Sequence, residues 1–268
     1  MRTHILILAF LFLRGIIFAQ TYYKDIQLGE QNGVILSAEG IVSDEDFIKC
    51  GLKIDNTSKD FVLFYRDGCK YIVGGKEITP EKESAGKIVR PESKRKITVK
   101  VTGNNNYDES DIYFSPGGLY LFSSEGNVIE TEDFHLPPNK NRFDNGAFEI
   151  TMLKLKKETS ETAVKFECEY KGDKIGIVDP VNCVLRTEEG KEWANVKVKT
   201  KPVIIQKGKK KSFAVVFQIP GKITDMQFAE MDIVWKNTFR ESEPKKLTFR
   251  EQKLEINNDK KKKGKKKK

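Results

Sequence analysis

His135 is the one histidine beyond residue 20, and it limits the chemistry this chain can do. Ser–His–Asp and Cys–His mechanisms need an imidazole oriented by a carboxylate or amide and hydrogen-bonded to a nucleophile. His135 stands between Phe134 and Leu136 at the end of an apolar stretch, which reads as a solvent-facing strand residue rather than a general base. A zinc site has too few Cys and His ligands unless the four cysteines stay reduced. Carboxylates are plentiful, and two facing each other across a groove can hydrolyse a glycoside, but no pair is marked out by its spacing. The oxygen-rich stretch 103–111 lacks the calcium-loop spacing and reads as a solvated loop. The Asn56-Thr57-Ser58 glycosylation triplet falls in a turn that favours those residues anyway. Catalytic residues, metal ligands and a cofactor are therefore not expected.

The cysteines invite a structural reading instead. Cys50 and Cys69 are 19 residues apart, and Cys168 and Cys183 are 15 apart. An even count split between two halves of an exported chain favours the bridges Cys50–Cys69 and Cys168–Cys183. The alternative is four buried thiols packing as small apolar groups. Among the aromatics, Trp193 follows Gly190-Lys191-Glu192 and is the candidate ligand contact.

The elements that must position these residues repeat. Asn32-Gly33 opens a stretch returning as Ile48, Cys50, Leu52, Ile54; Asn145-Gly146 opens one returning as Val164, Phe166, Cys168, Tyr170. Alternation of this kind marks strands with one buried face. On the outgoing strands the buried positions are Val34, Leu36, Ala38 and Ile41, and Phe148, Ile150 and Met152. Gly75-Lys76-Glu77 answers Gly190-Lys191-Glu192. Lys94-Arg95-Lys96 precedes Ile97, Val99, Val101 as Lys209-Lys210-Lys211 precedes Phe213, Val215, Phe217. Asp111 to Phe114 is set against Asp225 to Phe228, and Leu119 and Leu121 against Ile233 and Trp235. Because Ser115-Pro116-Gly117-Gly118 stops a helix, both copies read as strand, turn, strand. The last strands are 128–136 and 247–256.

The expected fold is all-β, two immunoglobulin-like β-sandwiches in tandem. The expected divisions are a signal peptide over 1–20, repeats over 21–138 and 139–257, and a disordered polylysine tail over 258–268. The join falls at Pro137-Pro138-Asn139-Lys140-Asn141.

The start of the chain carries an apolar run of nine residues, Ile5 to Leu13, then Arg14 and a second apolar piece ending at Ala19. This reads as a secretory signal, too short for the roughly 20 residues that span a bilayer. The net charge of +9 comes from the ends: eight lysines (Lys260, Lys261, Lys262, Lys263, Lys265, Lys266, Lys267, Lys268) and two arginines in the signal leave the intervening body at −1. Nucleic-acid binding is thus not expected; the tail is a candidate for holding anionic surfaces.

The strand ending in Ile54-Asp55-Asn56-Thr57-Ser58-Lys59, the Gly-Lys-Glu turn and Val215-Val216-Phe217-Gln218-Ile219-Pro220 resemble the small immunoglobulin-like sandwiches of secreted bacterial proteins of the immunoprotective extracellular antigen type. The resemblance implies fold and export and brings no catalytic residues. The expected function is an exported, non-enzymatic binding, adhesion or scaffold protein of the bacterial cell envelope, its partner a protein or glycan there. The alternative is a carboxylate-based carbohydrate-active enzyme or accessory subunit.

Overall fold

A computed structural model describes residues 20–103, 107, 111–197 and 201–259. The expected signal peptide, apart from Gln20, and the lysines from Lys260 lie outside the described residues, as does most of the stretch 103–111. Among the described residues every regular element longer than three residues is a strand, and no helix is long and apolar enough to cross a membrane.

The described residues form two compact units, each drawn from separated parts of the chain. Unit 1 holds 20–57, 65–118 and 248–259; unit 2 holds 58–64 and 119–247.

In unit 1 the long strands Val34–Ser43, Phe47–Asn56 and Ser93–Thr102 pair in that order, with Ile26–Gln31 added on Val34–Ser43. Alternation fixes their inner face: Val34, Leu36 and Ala38, Ile48 to Ile54 at every second residue, and Val99 and Val101 are buried. A second sheet runs Gln252–Lys253, Ile112–Ser115, Lys70–Val73, Lys76–Ile78. The Tyr71 hydroxyl donates to the Val99 carbonyl at 3.2 Å, tying the two sheets through a buried bond, and its ring lies 5.0 Å from that of Phe114.

Unit 2 repeats the arrangement with Arg142–Asn145, Phe148–Lys157, Glu161–Tyr170 and Lys209–Gln218. Its core is more aromatic. Trp235 sits 5.3 to 6.5 Å from the rings of Phe134, Phe143, Phe166, Phe213 and Phe239. Within this unit the stretch 119–136 runs antiparallel to 231–247, from Leu119 opposite Leu247 to Leu136 opposite Met231. Phe134–Leu136 thus closes on Met231–Trp235 in unit 2, while Gln252–Lys253 closes on Ile112–Ser115 in unit 1. Each unit contains the last strand of the other sequence repeat.

The buried parity read from the sequence is the observed one, but three alignments shift. The first hairpin turns on Asn32 and Gly33, both at positive φ (51° and 74°), a type I′ turn. The second turns on Gly146 and Ala147, with only Gly146 positive at 58°, as type II′ requires. The Asn-Gly pairs are therefore one residue out of frame.

The ladders likewise oppose Cys50 to Val99 and Val164 to Val215. Cys50 corresponds to Val164, and Cys168 to Ile54.

Finally, residues 225–228 are turn, not strand, and Phe228 is 76% exposed there. The counterpart of Ile112–Ser115 is Met231–Trp235, and the counterpart of Leu119 is Phe239, each opposite the last residue of a matching strand, Phe64 and Val178. The turn that answers Pro116-Gly117-Gly118 is Lys236-Asn237-Thr238, with Asn237 at φ 47°.

Candidate functional site

The expected bridges do not form: Cys50, Cys69, Cys168 and Cys183 are free, buried thiols. Cys50 and Cys168 face the core from long strands. Cys69 and Cys183 each follow a short 3-10 turn, Arg66–Gly68 and Pro180–Asn182. Burial pushes all four thiols up to about 12. They are protonated at neutral pH and serve as small packing groups, since only the thiolate attacks or ligates.

His135 is 45% exposed and held by surface acids, with Nδ1 3.0 Å from Asp232 Oδ1 and Nε2 3.9 Å from Glu230 Oε2. Arg186 completes this cluster by pairing with Asp133. Among the described residues, no hydroxyl or thiol is hydrogen-bonded to the imidazole, and no group of three His, Cys, Asp or Glu is placed to hold a metal.

Trp193 lies on the short strand Glu192–Ala194, half-buried against the core of unit 2, with the Lys191 ammonium 4.9 Å above its ring. Its indole covers core, and its exposed face is already occupied by a cation.

The outward face of unit 1's first sheet is different in kind. Phe47, Lys49, Gly51, Lys53 and Asp55 alternate with the buried residues of their strand; Lys94, Lys96, Thr98, Lys100 and Thr102 do so on the next. The register puts Lys49 opposite Lys100, Lys53 opposite Lys96, and Asp55 opposite Lys94. Like charges directly opposed across an antiparallel pair are destabilising. Lys53 and Lys96 relieve this by sharing Glu39, at 3.4 and 2.9 Å, and Lys94 pairs with Asp55 at 2.7 Å. Lys49 and Lys100 have no carboxylate partner among the described residues. Both ammonium groups instead lie over the Phe47 ring, 5.2 and 4.7 Å from its centre.

Beside Lys100 a groove of about 310 Å³ opens within unit 1, lined by Arg66, Thr79, Pro80, Glu81, Lys100, Val101 and Thr102. Arg66 is fixed by Glu83, which accepts from its Nε at 2.8 Å and its backbone N–H at 3.2 Å. Burial works to raise the Glu83 carboxyl, but these bonds and the Arg66 charge hold it below its ordinary value.

In unit 2 the corresponding strands carry Glu161, Ala163, Lys165, Glu167 and Glu169 against Lys210, Ser212, Ala214, Val216 and Gln218. Here Ala163 stands opposite Val216 where unit 1 has its two lysines. Lys210 pairs with Glu167 and Glu169, and Gln218 donates to Glu161.

Sequence reasoning found the basic stretch 94–96 but missed Lys49, Lys100 and Phe47. Their outward parity was legible; that they meet depends on cross-strand register.

No protein-family model matches this chain, and no curated protein matches it. Among solved structures it is similar to the crystal structure of the yjhA protein from Bacillus subtilis, at 15% identity, over 30% of this chain and 70% of that one, with a TM-score of 0.25. A likeness at that level carries no conclusion about fold or function.

Proposed function

We propose that the protein is an exported, non-enzymatic binding, adhesion or scaffold protein of the bacterial cell envelope. In this reading its two units are immunoglobulin-like sandwiches of a common type, and the partner docks on the outer face of unit 1. The observation that carries the reading is the opposed pair Lys49 and Lys100. Two cations, Lys49 half-buried and Lys100 exposed, are held together with no carboxylate partner among the described residues, at a position where the other unit has Ala163 and Val216. Unit 2 also opposes two lysines on its outer face, Lys154 and Lys165, but among the described residues the opposed cations of unit 1 alone converge on one aromatic ring beside a groove, and a partner that supplies negative charge there offsets the repulsion.

Binding is favoured over hydrolysis by the groove beside the pair. It presents Glu81, while the neighbouring acid Glu83 is engaged by Arg66 and, at 3.8 Å, by Lys87. A glycosidase needs two carboxylates flanking the scissile bond.

Incubating the purified full chain with isolated cell envelopes tests this. Saturable attachment without release of reducing sugar is expected. Steady production of reducing ends would replace the proposal with the enzyme reading.

A further inference from the structure

We infer that the outer face formed by Phe47–Asn56 and Ser93–Thr102 binds an acidic polysaccharide. The carboxylates of the polymer lie along the lysines, and one sugar unit enters the groove at their end. This rests on the reading above and names the partner class for that same face.

The lysines form a line rather than a round patch. From the Lys49/Lys100 pair to the Lys53/Lys96 pair is four residues along the strands, about 13 Å at the usual rise, and Lys94 extends the line further. Over the three long strands of each face, the outward positions of unit 1 hold five lysines against Asp55 and Glu39, and those of unit 2 hold Lys154, Lys156, Lys165 and Lys210 against Glu149, Glu161, Glu167 and Glu169. A linear polyanion meets net positive charge on the first face and balanced charge on the second.

The groove narrows the choice. Its lining offers hydroxyls (Thr79 and Thr102), an acid (Glu81) and bases (Arg66 and Lys100) over a buried floor of Pro80 and Val101. That mixture of donors and acceptors suits a hydroxyl-rich ring, and the volume is that of a small-ligand site. A lipid surface has no unit to place in such a groove. Single-stranded nucleic acid is held by open aromatic faces on which bases stack, whereas both lysines lie over the ring of Phe47.

The test uses the full chain, so that its lysine tail is the same in every variant. Binding is measured calorimetrically to polygalacturonate, to neutral dextran, to phosphatidylserine-containing vesicles and to poly-dT, at low and raised salt. The expected result is salt-sensitive binding to polygalacturonate and none to dextran. Lys49→Gln/Lys100→Gln should weaken the former at least about tenfold, from the contribution of each lysine near an anionic surface, and flatten its salt dependence. Lys165→Gln/Lys210→Gln in unit 2 should leave it within about twofold. Thr79→Ala/Thr102→Ala should weaken binding without changing the salt dependence, a readout that charge alone does not give.

Unchanged thermal midpoints show that the variants fold. The inference is overturned if polygalacturonate does not bind, if the two lysine variants lose affinity equally, or if vesicles or poly-dT bind more tightly. Should the chain still attach to cell envelopes in that case, this inference falls and the wider reading stands.

Discussion

Unit 1 and unit 2 have the same ladder of long strands, and they differ in opposite ways on its two sides. Inside, unit 2 gathers Trp235 and five phenylalanine rings, where unit 1 has Tyr23, Tyr71, Tyr107, Phe114, two thiols and aliphatic residues. Outside, unit 2 opposes Lys154 to Lys165 but interleaves its other lysines with glutamates, where unit 1 gathers two lysines over a phenylalanine with no carboxylate partner among the described residues. The inner positions answer to packing, which tolerates many apolar solutions of suitable volume. The outer positions have no structural duty that demands like charges face to face. In the proposed reading, this asymmetry assigns recognition to unit 1's surface.

The largest test of that division is Trp235→Ala, which should cost about 3–5 kcal/mol in chemical denaturation, as for other large buried aromatics. Cys69 gives a smaller, chemical test of unit 1. If its thiol and the other three are free and buried, a thiol reagent should find none in the native protein and all four after unfolding without reductant. Fewer than four would restore the bridges.

Glu83→Gln should cost about 1–2 kcal/mol at neutral pH, the scale of losing charge-assisted bonds in a partly buried pair. Its pH dependence has a definite sign. The folded-state carboxyl lies below its ordinary value of 4.5, so its contribution is present above about that pH and disappears as pH falls through the lower folded value. Stability of the native protein should drop more steeply below pH 4.5 than that of the Gln variant.

Tyr71→Phe, which removes the bond to Val99 and the hydroxyl's interaction with the Cys50 thiol, should cost about 1 kcal/mol. Smallest of all in stability is the surface pair: Lys49→Gln/Lys100→Gln loses two cation–π contacts and relieves one repulsion, a net change under about 1 kcal/mol. A large fall in stability there would mean that the pair is structural and would remove the case for a partner.

The comparison also shows what the sequence made legible. Inward residues such as Ile48 to Ile54 and Phe148 to Met152 announce themselves by alternation, because one buried face forces a period of two. Register was harder. Asn-Gly occurs at both hairpins, but Asn145 ends a strand while Asn32 begins a turn, and a one-residue shift of frame leaves no trace in composition. Lys49 and Lys100 are 51 positions apart, so their meeting is invisible until the ladder is known. The last strands, 134–136 and 252–253, have similar edge roles, and nothing local says which unit each will join. The thiols were misjudged because an even count suits bridges and buried packing equally; burial decided for packing.

The most direct measurement is a residue-resolved NMR titration of the full chain with polygalacturonate at two salt concentrations. Backbone amides of Phe47, Lys49, Lys100 and Thr102 should shift together, saturably and less at high salt, while those of Ala163 and Val216 stay still. Equal shifts on both faces, or shifts confined to the lysine tail, would contradict the assignment of recognition to unit 1.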